Sequence, residues 1–220
     1  MAWEVIHKDS WPAGVVPNIV DYDAVRPSFS WDEARDDLDG LPGGRGLNIA
    51  HEAVDRHAHG PSAERVAFRF IERDGSVTTT TYRELAEQTN RFANVLRELG
   101  IGKGDRVFAL LGRVPELYIT ILGTLKNVSV FCPLFSAFGP EPVRQRIDRG
   151  NGKVLVTSPA LYRRKVAPIR DALPGLEHVI LVGGDGEDGT LDFDVLIGGV
   201  DDRFEVPRTG FTDYVMTHTS

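Results

Sequence analysis

From Thr81 to Val182 the chain alternates between short apolar or β-branched runs and amphipathic helical runs, with turn residues between them. No other feature restricts its fold as strongly. Thr81 is placed to cap a helix, and Glu84, three residues on, completes a capping box. Tyr82, Leu85, Thr89, Phe92, Leu96 and Leu99 then repeat at helical spacing, and Gly100 supplies a left-handed terminus. Gly102-Lys-Gly-Asp105 turns the chain into a strand over Arg106–Leu111. A helix follows with Pro115 in its first turn, and Val114, Leu117, Tyr118, Ile121, Leu122 and Leu125 give it a wide apolar face. The alternation predicts further strands at Ser129–Pro133, Lys153–Thr157 and Glu177–Val182, with helices at Pro140–Arg149 and Leu161–Ala172. Beyond these the chain reads as loop until a last strand near Tyr214–Thr217. Strands and helices alternating at this pitch require parallel strands with helical crossovers. The fold class is therefore α/β, a parallel sheet with helices on both faces.

Ahead of the alternation, a helix is expected near Asn48–Ala58. A hairpin follows from Arg65–Ile71 and Val77–Thr80, joined around Arg73-Asp-Gly75. Residues 1–45 differ. They hold all three tryptophans (Trp3, Trp11, Trp31), several prolines and the acidic stretch Trp31–Asp39. They read as an irregular N-terminal extension with a short helix near 30–38, laid over the body by its tryptophans and closed by the loop Pro42–Gly46. The body is residues 46–220.

Composition excludes some functions. Of 220 residues, 41% are apolar and 26% charged, enough for a packed core. The net charge of −7 argues against nucleic-acid binding, which needs a basic face to displace counterions. It does not argue against a phosphorylated small molecule, for which a few local arginines suffice. The single cysteine, Cys132, sits among apolar residues and reads as an inert core thiol. No basic segment followed by an apolar run opens the chain, and no run approaches the roughly 20 residues of a membrane span, so the expected location is cytoplasmic. In that compartment the sequon Asn127-Val-Ser129 has no use.

Four segments invite a chemical reading. Gly184-Asp-Gly-Glu-Asp-Gly189 has dinucleotide-loop spacing, but no helix is expected immediately after it and its acidic side chains would repel phosphate. It is read as a solvated turn. His51, Asp55, His57 and His59 lack a coherent set of metal ligands and are read as surface residues of an amphipathic helix. Pro133–Ile147 leaves a strand, crosses the sheet's C-terminal edge and enters a helix, and ligands bind at that edge in open α/β sheets. There Phe135 and Phe138 offer flat apolar surface, and Ser136 and Ala137 permit close approach. Tyr162-Arg-Arg-Lys165 places cations at the expected start of a helix, where they oppose the macrodipole, which hints at an anionic partner.

Taken in order, these pieces resemble the AMP-forming acetyl-CoA synthetase family of acyl-adenylate-forming ligases. The helix Thr80–Leu85 with the turn Gly100–Val107, the segment Gly112–Leu117, the loop Phe135-Ser-Ala-Phe-Gly-Pro-Glu141 and the stretch at Gly46-Leu-Asn-Ile49 each look like their family counterparts. The resemblance covers about residues 30–220. It implies part of a large N-terminal ligase domain, and a two-step reaction of ATP, a short carboxylate such as acetate, and coenzyme A, with Mg²⁺. By resemblance Phe135, Ser136 and Ala137 would line the coenzyme A tunnel, and Arg163, with Arg164, would meet its nucleotide phosphate. Thr219 and Ser220 would open the ATP phosphate loop.

The sequence also departs from the family. Val128 stands where the family turn carries glycine, which is costly if that position needs positive φ. The rest of the phosphate loop, the adenine and Mg²⁺ motifs and the domain with the catalytic lysine do not appear. The expectation is an N-terminal fragment whose partner is the rest of the same enzyme, inactive alone. A non-catalytic α/β module binding a nucleotide or a partner at the same sheet edge, or a degraded gene product, is the alternative.

Overall fold

The four strands expected between Arg106 and Val182 pair in one parallel sheet, and a fifth joins them. The computed structural model describes residues 14–72, 74–184, 186–210 and 212–213. The chain forms two compact units, one ending at Leu38 and one beginning at Asp39. In the first unit, α1 (Tyr22–Val25) is capped by Asp21 and α2 (Trp31–Asp36) by Ser30. Phe29 meets the Trp31 ring edge-on. Trp3 and Trp11, two of the tryptophans expected to fasten the extension, lie outside the described residues.

The second unit opens with a π-helical turn, His51–Asp55, running into α3 (Arg56–Ala58). β1 (Val66–Ile71) and β2 (Val77–Thr81) form the expected antiparallel hairpin. α4 (Tyr82–Glu98) carries the capping box, with Thr81 accepting from the Glu84 amide and Glu84 accepting from Thr81. β3 (Arg106–Leu110), α5 (Pro115–Lys126), β4 (Val130–Pro133), α6 (Pro140–Arg149) and β5 (Gly152–Thr157) follow within a residue or two of expectation. The next helix begins at α7 (Pro159–Leu161), earlier than expected, because Ser158 caps it and Pro159 preforms its first turn. It continues as a π-helical turn, Tyr162–Val166, and a 3₁₀ stretch, Ala167–Ala172. Pro168 lacks the amide that regular α-helical bonding would use. β6 (His178–Leu181) comes next.

Two elements were not expected. β7 (Leu191–Asp192) and α8 (Phe193–Gly198) occupy a stretch that reads as loop. The Asp192 side chain caps α8, and the helix is held by Phe193, whose ring stacks on Phe92 of α4. The last expected strand, Tyr214–Thr217, lies outside the described residues.

The sheet order is β4-β3-β5-β6-β7, parallel throughout. Alternate residues along each strand face opposite sides. On one side Phe108, Leu110, Leu155, Val179 and Leu181 pack with Val143 and Ile147 of α6 and with Tyr162 and Val166. On the other, Val107, Val154, Val156 and Ile180 pack with Phe92, Val95 and Leu96 of α4 and with Phe193 and Ile197. Both faces are thus covered, which is why these strands are continuously apolar. Helices α4 and α5 meet at Gly123, where a Cβ would fall 2.9 Å from Phe92. Cys132 is fully buried on the first face.

The polar face of α4 holds the segment after α8. Asn90 donates to Asp202 O, Asn94 to Asp201 O and Arg203 O, and Arg91 to Val200 O. The Arg97 guanidinium lies 4.2 Å from the Phe204 ring centroid. Further along, Thr209 donates from its amide to Arg45 O and from its hydroxyl to Leu47 O. Gly46 fits only as glycine there, because a Cβ would fall 2.6 Å from the Thr209 carbonyl oxygen.

Candidate functional site

The strand order places a topological switch between β3 and β5. The chain leaves β3 for β4 on one side and then returns to β5 on the other. At the C-terminal ends of these strands the Thr157 hydroxyl donates to Leu110 O at 2.8 Å, closing the sheet where open α/β folds place ligands. The loop after β4 and the helix after β5 rise from this edge.

The β4 loop is a tight turn built on one core anchor. Leu134 is buried and its amide continues the ladder to Ala109 O. Phe135 to Phe138 form a β-turn closed by the Phe138 amide on Phe135 O at 3.0 Å. Phe138 packs against the core, with the Arg146 guanidinium 4.2 Å over its ring. Phe135 meets Phe138 edge-on at 5.7 Å yet is 66% exposed. Ser136 is half-buried and Ala137 exposed. Of the two phenylalanines read as flat surface, only Phe135 faces outward.

The basic cluster lies one turn inside its helix rather than at the start, so the macrodipole conflict read from sequence is relieved. Its three cations do different work. Arg163 is exposed and pairs with Glu187 Oε1 at 2.7 Å. Arg164, also exposed, donates from Nε to Ala160 O. Lys165 reaches the β4 loop, donating to Ser136 O at 2.5 Å and Phe138 O at 2.7 Å. Sequence reading counted Lys165 only as one cation of a cluster hinting at an anionic partner, since its acceptors are backbone carbonyls in another element. Thr219 and Ser220 lie outside the described residues.

The histidine cluster also differs from expectation. His51 is 8% exposed rather than a surface residue. Its Nε2 contacts Asp39 Oδ2 at 2.8 Å, and its Nδ1 is 4.0 Å from Asp55 Oδ2. Asp55 Oδ1 meets Lys126 Nζ at 2.6 Å, and Lys126 also donates to Asn90 Oδ1 at 2.6 Å. Burial drives the Lys126 pKa down, while Asp55 pushes it back up. This chain of charges ties the turn before α3 to α4 and α5. It borders a cleft of about 310 Å³ lined by Arg45, His51, Asp55 and Phe204, among others. Among the described residues no cluster of His, Cys, Asp or Glu could hold a metal ion. Among them, too, no helix is long and apolar enough to cross a membrane.

The AMP-binding enzyme family matches residues 54–207. The chain belongs to that family. Over 176 residues it is 40% identical to an acetyl-coenzyme A synthetase of Bacillus subtilis, covering 79% of this chain and 30% of the relative. A 3-hydroxypropionyl-coenzyme A synthetase of Metallosphaera sedula is 34% identical over 118 residues, covering 54% of this chain and 18% of the relative. Among solved structures, an acyl-CoA synthetase of Brucella canis superposes with a TM-score of 0.78 at 31% identity, covering 90% of this chain and 36% of that one. The chain therefore spans about a third or less of the relatives it matches. The parallel sheet and its helices are part of an adenylate-forming ligase fold.

Proposed function

We propose that the chain is the N-terminal part of an AMP-forming acyl-CoA ligase and contributes the coenzyme A side of its site. The match to the AMP-binding enzyme family over residues 54–207 carries this reading. In such a ligase a carboxylate attacks ATP, releasing pyrophosphate, and the thiol of coenzyme A then displaces AMP. Mg²⁺ bound with ATP would steady the charge of the departing pyrophosphate. The acid is a short carboxylate, acetate first, on the strength of the 40% identical relative's name. The working location is the cytoplasm.

Support for the coenzyme A assignment comes from the chemistry gathered at the sheet edge. Phe135 offers an exposed ring, Ser136 and Ala137 keep the approach narrow in bulk, and two exposed guanidiniums stand on the next helix. Arg163, with Arg164, would take the nucleotide phosphate. Glu187 holds Arg163 in the free chain, but Arg163 is largely exposed and Glu187 partly so, and a phosphate would exchange for the carboxylate at modest cost.

Arg163→Ala in the full-length enzyme tests the assignment. Losing a charge-assisted bond at an exposed site should raise KM for coenzyme A roughly tenfold. ATP–pyrophosphate exchange, which needs no coenzyme A, should be unchanged. Exchange falling as far as the full reaction would remove Arg163 from the coenzyme A site. The 220 residues alone should give no exchange with acetate above a protein-free control. Exchange by them would contradict the view that the phosphate cradle lies in the remainder.

A further inference from the structure

We propose that Lys165 is the positioning residue of the Phe135–Phe138 turn, and that it fixes the loop against which coenzyme A is received. The inference rests on the reading of that loop given under Proposed function. Within itself the turn has one backbone hydrogen bond, from the Phe138 amide to Phe135 O. Its middle residues, Ser136 and Ala137, are too small to lock it by packing, and Gly139 beyond them is exposed. Phe138 anchors the far end, and its amide hydrogen bond fixes one peptide plane, but the planes that carry Ser136 O and Phe138 O are held by no bond within the turn.

Lys165 supplies that constraint from outside. One ammonium group donates to two carbonyls of the same turn, Ser136 O at 2.5 Å and Phe138 O at 2.7 Å. An ammonium carries three N–H donors and suits carbonyls that converge on a point, where a planar guanidinium would fit poorly. The backbone of Lys165 is itself held, because Tyr162 and Val166 on either side of it are buried in the core. With both carbonyls turned toward Lys165, Phe135 is presented outward. Arg163 and Arg164 on the same turn bond elsewhere, so the tie to the loop is made by Lys165.

The role separates from that of Arg163. A residue that meets the nucleotide phosphate discriminates coenzyme A from dephospho-coenzyme A. A residue that sets the loop acts on both alike. In the full-length protein, Lys165→Met should speed hydrogen exchange of the amides in residues 135–139 at least tenfold. It should weaken coenzyme A and dephospho-coenzyme A by the same factor, roughly tenfold. Lys165→Arg should restore part of both effects. Arg163→Ala should leave loop exchange unchanged and weaken only coenzyme A. Amine acylation of the wild-type protein, read by peptide mass, gives a measurement that needs no variant to fold. Lys165 should react several-fold more slowly than Lys103, whose side chain is half exposed. Unchanged loop exchange in Lys165→Met, or acylation as fast as at Lys103, overturns the proposal whatever happens to binding. Faster exchange with undiminished coenzyme binding overturns the positioning role. If the wild-type protein binds neither coenzyme, the coenzyme A reading of the loop itself falls, and the exchange data still report whether Lys165 orders the turn.

Discussion

Val128 holds a backbone conformation that a β-branched side chain disfavours. Its φ is +57°, and it closes α5 as a helix terminus in which the Ser129 amide reaches Thr124 O and the Val128 amide reaches Leu125 O. A left-handed non-glycine residue costs about 1–2 kcal/mol. The return is burial, since Val128 is 4% exposed and packs with Leu41 and Val206. Burying a valine side chain is worth about 1.5–3 kcal/mol, so the two terms nearly balance with burial ahead. Alanine at this position keeps the backbone cost and loses most of the burial, whereas glycine loses the burial and the cost together. Val128→Gly should therefore be more stable than Val128→Ala by about 1 kcal/mol, both below wild type, in urea unfolding. The reverse order would mean the position is unstrained. At this scale sequence told half the story. The departure from glycine was visible, but Leu41 and Val206, which compensate for it, are remote in the chain. Lys165 was hidden for the same reason, its acceptors lying 27 and 29 residues away.

At the scale of elements, the capping box, the proline at the start of α5 and the apolar period of α4 and α5 were all readable, because each is a local signal. What escaped depended on partners brought together only by folding. α8 has six residues, too few for a clear period, and is fixed by Phe193 against Phe92. Lys126 closes a largely apolar helix and gave no sign of its partner. It is fully buried and bonded to Asp55, at the end of the turn that leads into α3. Removing one partner of such a pair leaves an uncompensated buried charge, which costs about 3–5 kcal/mol, while replacing both can be nearly neutral. Lys126→Met should thus destabilise by about that much, and the double variant Asp55→Asn, Lys126→Met should recover most of it. Additive losses in a double-mutant cycle would show that the two groups do not act as a pair.

At the scale of the whole molecule, several carboxylates among the described residues are held below their ordinary pKa values and so stabilise the fold less as pH falls. Glu141 is held down to about 2 by Arg144 and then Gln145. Glu84 is lowered by the Thr81 amide, Asp74 by the Ser76 amide and Asp213 by Lys103. Burial alone would raise Asp105 and Glu52. The Gly102 amide and Lys153 reverse this for Asp105, and the amides of Gly40 and Asp39, with Arg56, reverse it for Glu52. A folded pKa below the unfolded one means that the unfolded chain binds protons more readily. The stabilisation is complete above about pH 4–4.5 and is lost as pH falls toward 2. Thermal midpoints should fall steadily between pH 5 and pH 2.5, and a flat or rising profile would contradict the assignment. Lys126 acts at the other end of the scale. Its folded pKa is also lowered, so its contribution improves as pH rises toward the ordinary lysine value. The segment held by α4 bears on how the molecule is made. Asn94 and Arg91 wait for partners as much as 109 residues downstream, so during synthesis this helix face emerges long before residues 200–203. Because the waiting face is amide and guanidinium rather than hydrocarbon, water satisfies it in the interval. The nascent chain thus offers no sticky surface there for a neighbour on the same polysome to seize.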